Sequence, residues 1–122
     1  EFIMRDNVVK NKSFAFALRM VKMYQFLCEQ KKEFVISKQL LRSGTAVGAL
    51  VREAEQAESP ADFIHKMAIA LKEANETQYW IELLFQSAYL DETAFNSISS
   101  DLTEILKLLT SIIKSTKQNH KK

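Results

Sequence analysis

Residues 59–88 read SPADFIHKMAIALKEANETQYWIELLFQSA and carry the clearest periodicity in this 122-residue sequence. Ser59 suits a helix N-cap, Pro60 suits the first helical position, and Asp62 places an acid in the first turn. Small or apolar side chains then recur every three or four residues, the spacing of one helix face. They are Phe63, Met67, Ala70, Ala74, Thr77, Ile81, Leu84 and Ala88. This stretch therefore predicts a long helix over 60–88.

Three further segments, 8–29, 37–57 and 92–117, repeat the helical spacing. The core positions that this spacing predicts are Phe14, Leu18, Val21, Tyr24 and Cys28, then Leu40, Ser43, Val47, Leu50, Ala54 and Ala57, then Phe95, Ile98, Leu102, Ile105, Leu109, Ile112 and Thr116. The intervening loops are short, so consecutive helices should run antiparallel. The sequence thus predicts an all-α, up-down-up-down four-helix bundle, one domain over 1–122 that ends in a basic tail, 118–122.

Two features exceed the needs of a simple bundle. Gly44 and Gly48 lie inside the second helix, where each costs about 1 kcal/mol relative to Ala. They predict that another backbone approaches closely, with a kink as the alternative.

Large apolar residues also fall outside the predicted core positions, namely Phe16, Met20, Met23, Phe26, Leu27, Ile64, Leu71, Tyr79, Trp80 and Phe85. This surplus predicts self-association, with a thick aromatic core as the alternative.

Charge is divided along the chain. Residues 1–52 have a net charge of +6, residues 53–104 of −9, and residues 105–122 of +5. In an antiparallel bundle basic helices then lie beside acidic ones, which favours their packing. The same division also predicts a basic face that could meet phosphate groups.

Signatures of catalysis and metal binding are absent from the sequence. His65 follows Asp62 by three residues, but a di-iron bundle needs two Glu-x-x-His motifs. One cysteine, Cys28, and two histidines do not supply a zinc site. We therefore expect no enzyme, no cofactor and no metal. A lone cysteine indicates a reducing cytoplasm. No apolar run is long enough to span a membrane. The first residues are polar, with Met4 as a candidate start, and do not resemble a signal peptide.

At the second and third helices the sequence resembles a known family. The stretches are SKQLLRSGTAVGA at 37–49, VREA at 51–54, SPADFIHK at 59–66, ALKEANET at 70–77 and the pair Tyr79-Trp80. They are similar to the four helix bundle protein family, also called the 23S ribosomal RNA intervening sequence proteins. The motif residues are Gln39, Arg42, Ser43, Glu53, Ala54, Ser59, Asp62, Phe63, Lys66, Glu73, Glu76 and Trp80.

This resemblance implies an antiparallel bundle that assembles into a homopentameric ring. It also implies a relationship to the accessory variability determinant of diversity-generating retroelements, which binds nucleic acid and a reverse transcriptase through a basic surface. The family has no established catalytic activity.

The leading hypothesis is a non-catalytic, oligomeric protein that binds RNA or DNA through a basic surface. Its candidate contacts are Lys10, Lys12, Arg19, Lys22, Lys38, Arg42, Arg52, Lys114 and Lys117. Arg42 and Arg52 have a competing interpretation, as salt bridges that fix helix packing. The alternative function is a protein-interaction adaptor, which the aromatic residues Tyr79, Trp80 and Phe85 suggest. An alternative interpretation of all these cations is an ordinary solvated surface.

Overall fold

The computed structural model describes residues 7–120, which form four α-helices and no strand. The helices are α1 (Asn7–Glu29), α2 (Ile36–Ala54), α3 (Pro60–Gln86) and α4 (Glu92–Asn119). The all-α class and the four helices are confirmed. The candidate start Met4 and the last two residues of the predicted basic tail lie outside the described residues.

Consecutive helices pack side by side around one apolar core. α2 contacts both α1 and α3 extensively, α4 packs on α3, and α1 meets α4 along a smaller seam. The core positions predicted for α3 are buried from Phe63 to Leu84. In α4 the predicted positions Ile98, Leu102, Ile105 and Leu109 are buried as well.

Helix ends follow local capping chemistry. The Ser59 side chain accepts a hydrogen bond from the Asp62 N–H at 3.1 Å, and Asp91 accepts one from the Ala94 N–H at 2.8 Å. Two predicted ends are too late. α2 stops at Ala54, because the Gln56 and Ala57 N–H groups bond to carbonyls three residues back, and Ser59 must be extended to cap α3.

α3 stops two residues before the predicted end at 88. Ala88 adopts a left-handed backbone conformation with φ of 69°, which cannot continue a right-handed helix. The Tyr89 N–H then turns back to the Leu84 carbonyl at 2.9 Å, satisfying an acceptor at the helix end. Ala88 is exposed and does not belong to the core.

The predicted core face of α1 is wrong. Phe14, Leu18 and Val21 are 50%, 52% and 41% exposed. The face that packs inward instead carries Val9, Ser13, Phe16, Met20 and Leu27, all buried. Both sets have helical spacing, so periodicity finds two stripes on α1 without choosing between them. We call the outward set, Phe14, Leu18 and Val21, the outer stripe.

The two glycines of α2 face α1, as their spacing predicts. A Cβ added at Gly48 would lie 3.2 Å from the Ser13 carbonyl oxygen, so α1 and α2 approach backbone to backbone there. A Cβ added at Gly44 would overlap Met20, reaching within 2.7 Å of its sulfur. The close approach is confirmed.

Candidate nucleic-acid interface

Three of the predicted contact cations on α1 already have acidic partners. Lys10 pairs with Glu55 at 3.1 Å and Lys12 with Glu104 at 3.1 Å. Arg19 pairs with Asp101 at 2.6 Å and also donates to the Ser97 hydroxyl at 3.0 Å. The pairs of Lys12 and Arg19 cross the seam between α1 and α4. These pairs link α1 to α4 or to the end of α2, and an acid competes with any phosphate group for each of the three cations.

Arg42 is the centre of a network between α2 and α3. Its guanidinium pairs with Glu73 at 3.2 Å and with Glu76, and it also donates to Gln39. The Trp80 indole N–H donates to Glu76 at 2.9 Å. This bond and the Arg42 guanidinium lower the pKa of Glu76, while pairing with Glu76 and Glu73 raises the pKa of Arg42.

Other family-motif residues also join α2 to α3. The Thr77 hydroxyl donates to the buried Ser43 hydroxyl at 2.9 Å, and Lys66 pairs with Glu53 at 3.2 Å. Ala54 and Phe63 are buried in the core, and Ser59 caps α3. These motif residues therefore serve mainly to hold α2 against α3.

The Arg42 network makes a modest contribution to stability. Because Arg42 is 48% exposed, Arg42→Gln should lower the free energy of unfolding by about 0.5–1 kcal/mol, as for exposed pairs. Urea unfolding at low salt measures this loss, which should shrink at high salt. Lys72→Gln, an exposed cation on α3 without an ion pair among the described residues, is the control and should change nothing. Unchanged stability in Arg42→Gln with weaker RNA binding would make Arg42 a contact residue instead.

Arg52 contacts an aromatic ring. Its guanidinium carbon lies 5.0 Å from the centre of the Phe14 ring, within the range of a cation–π interaction. Both residues line a surface hollow of about 250 Å³ between α1 and α2, together with Ala17, Thr45, Gly48 and Ala49. Arg52 thus belongs to the edge of the outer stripe.

The remaining predicted contacts are exposed lysines with no ion pair among residues 7–120. They are Lys22, Lys38, Lys114 and Lys117. The structure does not bring these four together. Lys38 lies in the first turn of α2, whereas Lys114 and Lys117 lie at the opposite end of the bundle, roughly 35 Å away at 1.5 Å per residue.

The loop between α1 and α2 adds cations that were not among the predicted contacts. Lys31 and Lys32 are exposed and unpaired within the described chain, and Phe34 and Val35 are 56% and 75% exposed beside them. Lys31 lies over the Phe26 ring, 5.9 Å from its centre. We call Lys31, Lys32, Phe34, Val35 and Lys38 the loop cluster. Its signal in the sequence is the pair Lys31-Lys32, followed after Glu33 by the aromatic residue Phe34.

The loop cluster rests on a buried carboxylate. Glu33 is only 7% exposed and accepts the N–H groups of Val35, Ile36 and Ser37 at 3.0, 2.9 and 2.6 Å. Burial alone would raise the pKa of Glu33, but these hydrogen bonds lower it overall. Lys32 has a φ of 54°, a left-handed conformation that turns the chain into this cap. The loop is therefore held in one shape while Phe34 and Val35 face solvent.

Other kinds of site find little support within the described residues. No three His, Cys, Asp or Glu side chains among residues 7–120 are placed to hold a metal ion. Cys28 is a half-buried free thiol, 3.9 Å from the Ser37 hydroxyl. No helix in this part of the chain is long and apolar enough to cross a membrane.

Comparison with known proteins supports the resemblance. No curated protein matches the sequence. A crystal structure from Bacteroides thetaiotaomicron, of a protein with unknown function from the S23 ribosomal protein family, is 62% identical and has a TM-score of 0.88. The match covers 89% of this chain and 97% of that one. The family model of the 23S rRNA-intervening sequence proteins matches residues 5–111. The chain therefore belongs to the 23S rRNA-intervening sequence protein family.

Proposed function

We propose that this protein is a non-catalytic scaffold that binds RNA or DNA as an assembly of several copies. The observation that carries the proposal is the division of its cations into two classes. Lys10, Lys12, Arg19, Arg42 and Lys66 form ion pairs with acids, whereas the lysines of the loop cluster are exposed and form no ion pair within the described chain. When an unpaired lysine neutralises a phosphate group, a counterion condensed on the nucleic acid is released, which favours association.

Self-association is supported by the outer stripe. Phe14, Leu18 and Val21 are large, about half exposed and spaced along one face of α1. Small residues of α2 extend this face, and Arg52 borders it. A second copy that covers this face would remove its apolar surface from water, which stabilises the contact by about 25 cal/mol for each Å² buried. We further propose that the assembly is the homopentamer implied by the resemblance, and that the likeness to the accessory variability determinant extends to nucleic-acid binding.

An assembly would strengthen weak binding. One loop cluster offers three lysines, a modest phosphate site by itself. A ring repeats that site in every copy, so contacts after the first become intramolecular and the overall affinity rises. Such binding depends mainly on charge and reads little sequence.

The test compares the two classes of cation. We expect fluorescence anisotropy at low salt to detect binding of a labelled structured RNA, weakening as salt rises. The variant Lys31→Gln/Lys32→Gln/Lys38→Gln should lose most of the affinity and reduce the salt slope by about two to three. The matched control Lys10→Gln/Lys12→Gln/Lys66→Gln removes the same charge from paired positions and should bind within a few-fold of wild type. Binding of neither RNA nor DNA by the wild type would reject the proposal.

A protein-interaction adaptor is the second candidate, and one observation favours it. Tyr79 is 57% exposed on α3, away from the outer stripe. The neighbouring aromatic residues are more occupied, since Trp80 donates to Glu76 and Phe85 stacks on Phe95 at 4.1 Å. A wild-type protein that binds no nucleic acid but retains one protein partner through Tyr79 would support this alternative.

We also propose that the protein acts in the cytoplasm. The support is Cys28, a single thiol with no second cysteine for an internal disulfide. Disulfides are rare in reducing compartments, and a chain without one is consistent with that environment.

A further inference from the structure

We propose that the loop cluster binds unpaired nucleotides, with Phe34 as a platform on which a base stacks and with Lys31, Lys32 and Lys38 as phosphate contacts. This inference rests on the proposed nucleic-acid function and specifies its ligand as single-stranded rather than double-helical. The outcomes of the experiment below distinguish its failure from that of the proposed function.

The first support is the exposure of apolar side chains among like charges. Phe34 and Val35 are the most exposed large apolar residues of α1, α2 and their loop. They lie between Lys32 and Lys38, with no ion pair to either lysine from the described residues. The nearby acids Glu29 and Glu33 lower the local net charge from +3 to +1. The Glu33 carboxylate is buried on backbone N–H groups and Glu29 forms no ion pair in the described chain, so neither acid is paired with one of the three lysines.

The second support is the fixed shape of the loop. The Glu33 carboxylate takes three backbone N–H groups at the start of α2, so this helix end is not available to a phosphate group. A phosphate group at the loop cluster must therefore bind to lysine side chains. The same hydrogen bonds hold the backbone on both sides of Phe34, which lowers the entropy cost of presenting its ring to a ligand.

The chemistry of the cluster fits an unpaired base. Aromatic rings beside lysines are the usual platform of single-strand binding, because every base has a flat face that can stack. In a double helix those faces are covered by neighbouring bases, and the ring would have nothing to stack on. Lysine contacts to phosphate remain possible in both forms.

The experiment measures the affinities of a labelled single-stranded 20-mer and of a blunt duplex of the same length. Phe34→Leu keeps an apolar side chain and removes the ring. We expect it to weaken single-strand binding about tenfold, within the range for one base stack, and to leave duplex binding unchanged. Tyr79→Leu, which removes an equally exposed ring from α3 rather than from the loop cluster, is the control and should change neither affinity.

Other outcomes overturn the inference. If wild type binds nucleic acid and Phe34→Leu weakens both probes equally, or neither, stacking on Phe34 is rejected while the proposed function stands. If wild type binds neither probe, both fail. If Phe34→Leu changes the mass in solution by light scattering, the loop cluster is an interface between copies rather than a nucleotide site.

Discussion

Leu18→Lys should prevent the self-association that we propose and leave a 14.0 kDa monomer. Leu18 lies at the centre of the outer stripe and is 52% exposed in the single chain. A lysine there keeps its charge in water in a monomer, but at an interface it would be buried without a partner, at a cost of several kcal/mol. The measurement is light scattering coupled to size exclusion, with circular dichroism to verify that the bundle remains folded.

Val8→Lys is the matched control for this substitution. Val8 is 51% exposed on the same helix but lies about 80° around it from Leu18 at 100° per residue. It should leave the mass unchanged. A wild-type mass of five chains would support the pentamer, and a wild-type monomer would remove both self-association and the multivalent binding built on it.

Glu33→Gln should lower the free energy of unfolding by about 1–3 kcal/mol at neutral pH. The carboxylate uses both oxygens on the N–H groups of Val35, Ile36 and Ser37. An amide replaces one of those acceptors with a donor, which leaves at least one of the three N–H groups without its acceptor. Urea unfolding at fixed protein concentration gives the difference. Glu29→Gln removes the same charge from an exposed position and should have little effect.

This stabilisation should depend on pH in a defined direction. The fold lowers the pKa of Glu33, so the ionised form is favoured in the folded state. The contribution is complete above the unfolded value of about 4.3, and it is lost as pH falls through the lower pKa of the folded state. The gap between wild type and Glu33→Gln should therefore narrow below about pH 4. A gap that is constant down to pH 2.5 would mean that the carboxylate charge is not what stabilises the loop.

Much of the fold could be predicted from local chemistry and spacing. The helix starts at Pro60 and Glu92 follow from side-chain caps within three residues. The core of α3 follows from one stripe of small and apolar residues spaced three or four apart, although large apolar residues also lie outside that stripe. On α1 two stripes compete, and the choice depends on how Met20 and Ser13 fit against Gly44 and Gly48 of α2. That is a tertiary fact which periodicity does not contain.

The candidate site was harder to predict than the fold. Residue type identifies a cation, but its availability depends on which acid the fold places beside it. Arg19 and Asp101 are 82 positions apart and still form an ion pair. The burial of Glu33 was equally hard to predict, because nothing in the sequence distinguishes a carboxylate that will be buried from others in a polar loop. Lys31 and Lys32, by contrast, could have been included among the candidate contacts, because an aromatic residue, Phe34, follows two positions after Lys32.

Because α1 and α4 share only a small contact, α4 should separate from the bundle more easily than the other helices. α2 packs broadly against both α1 and α3 and approaches α1 closely at Gly48, whereas α1 and α4 share a smaller contact that the ion pairs of Lys12 and Arg19 cross. Such exposed pairs weaken as ionic strength rises. Amide hydrogens along α4 should accordingly exchange with solvent sooner than those of α2, and the difference should widen in salt. The last helix is then the part of the chain that can separate first while the other three stay together.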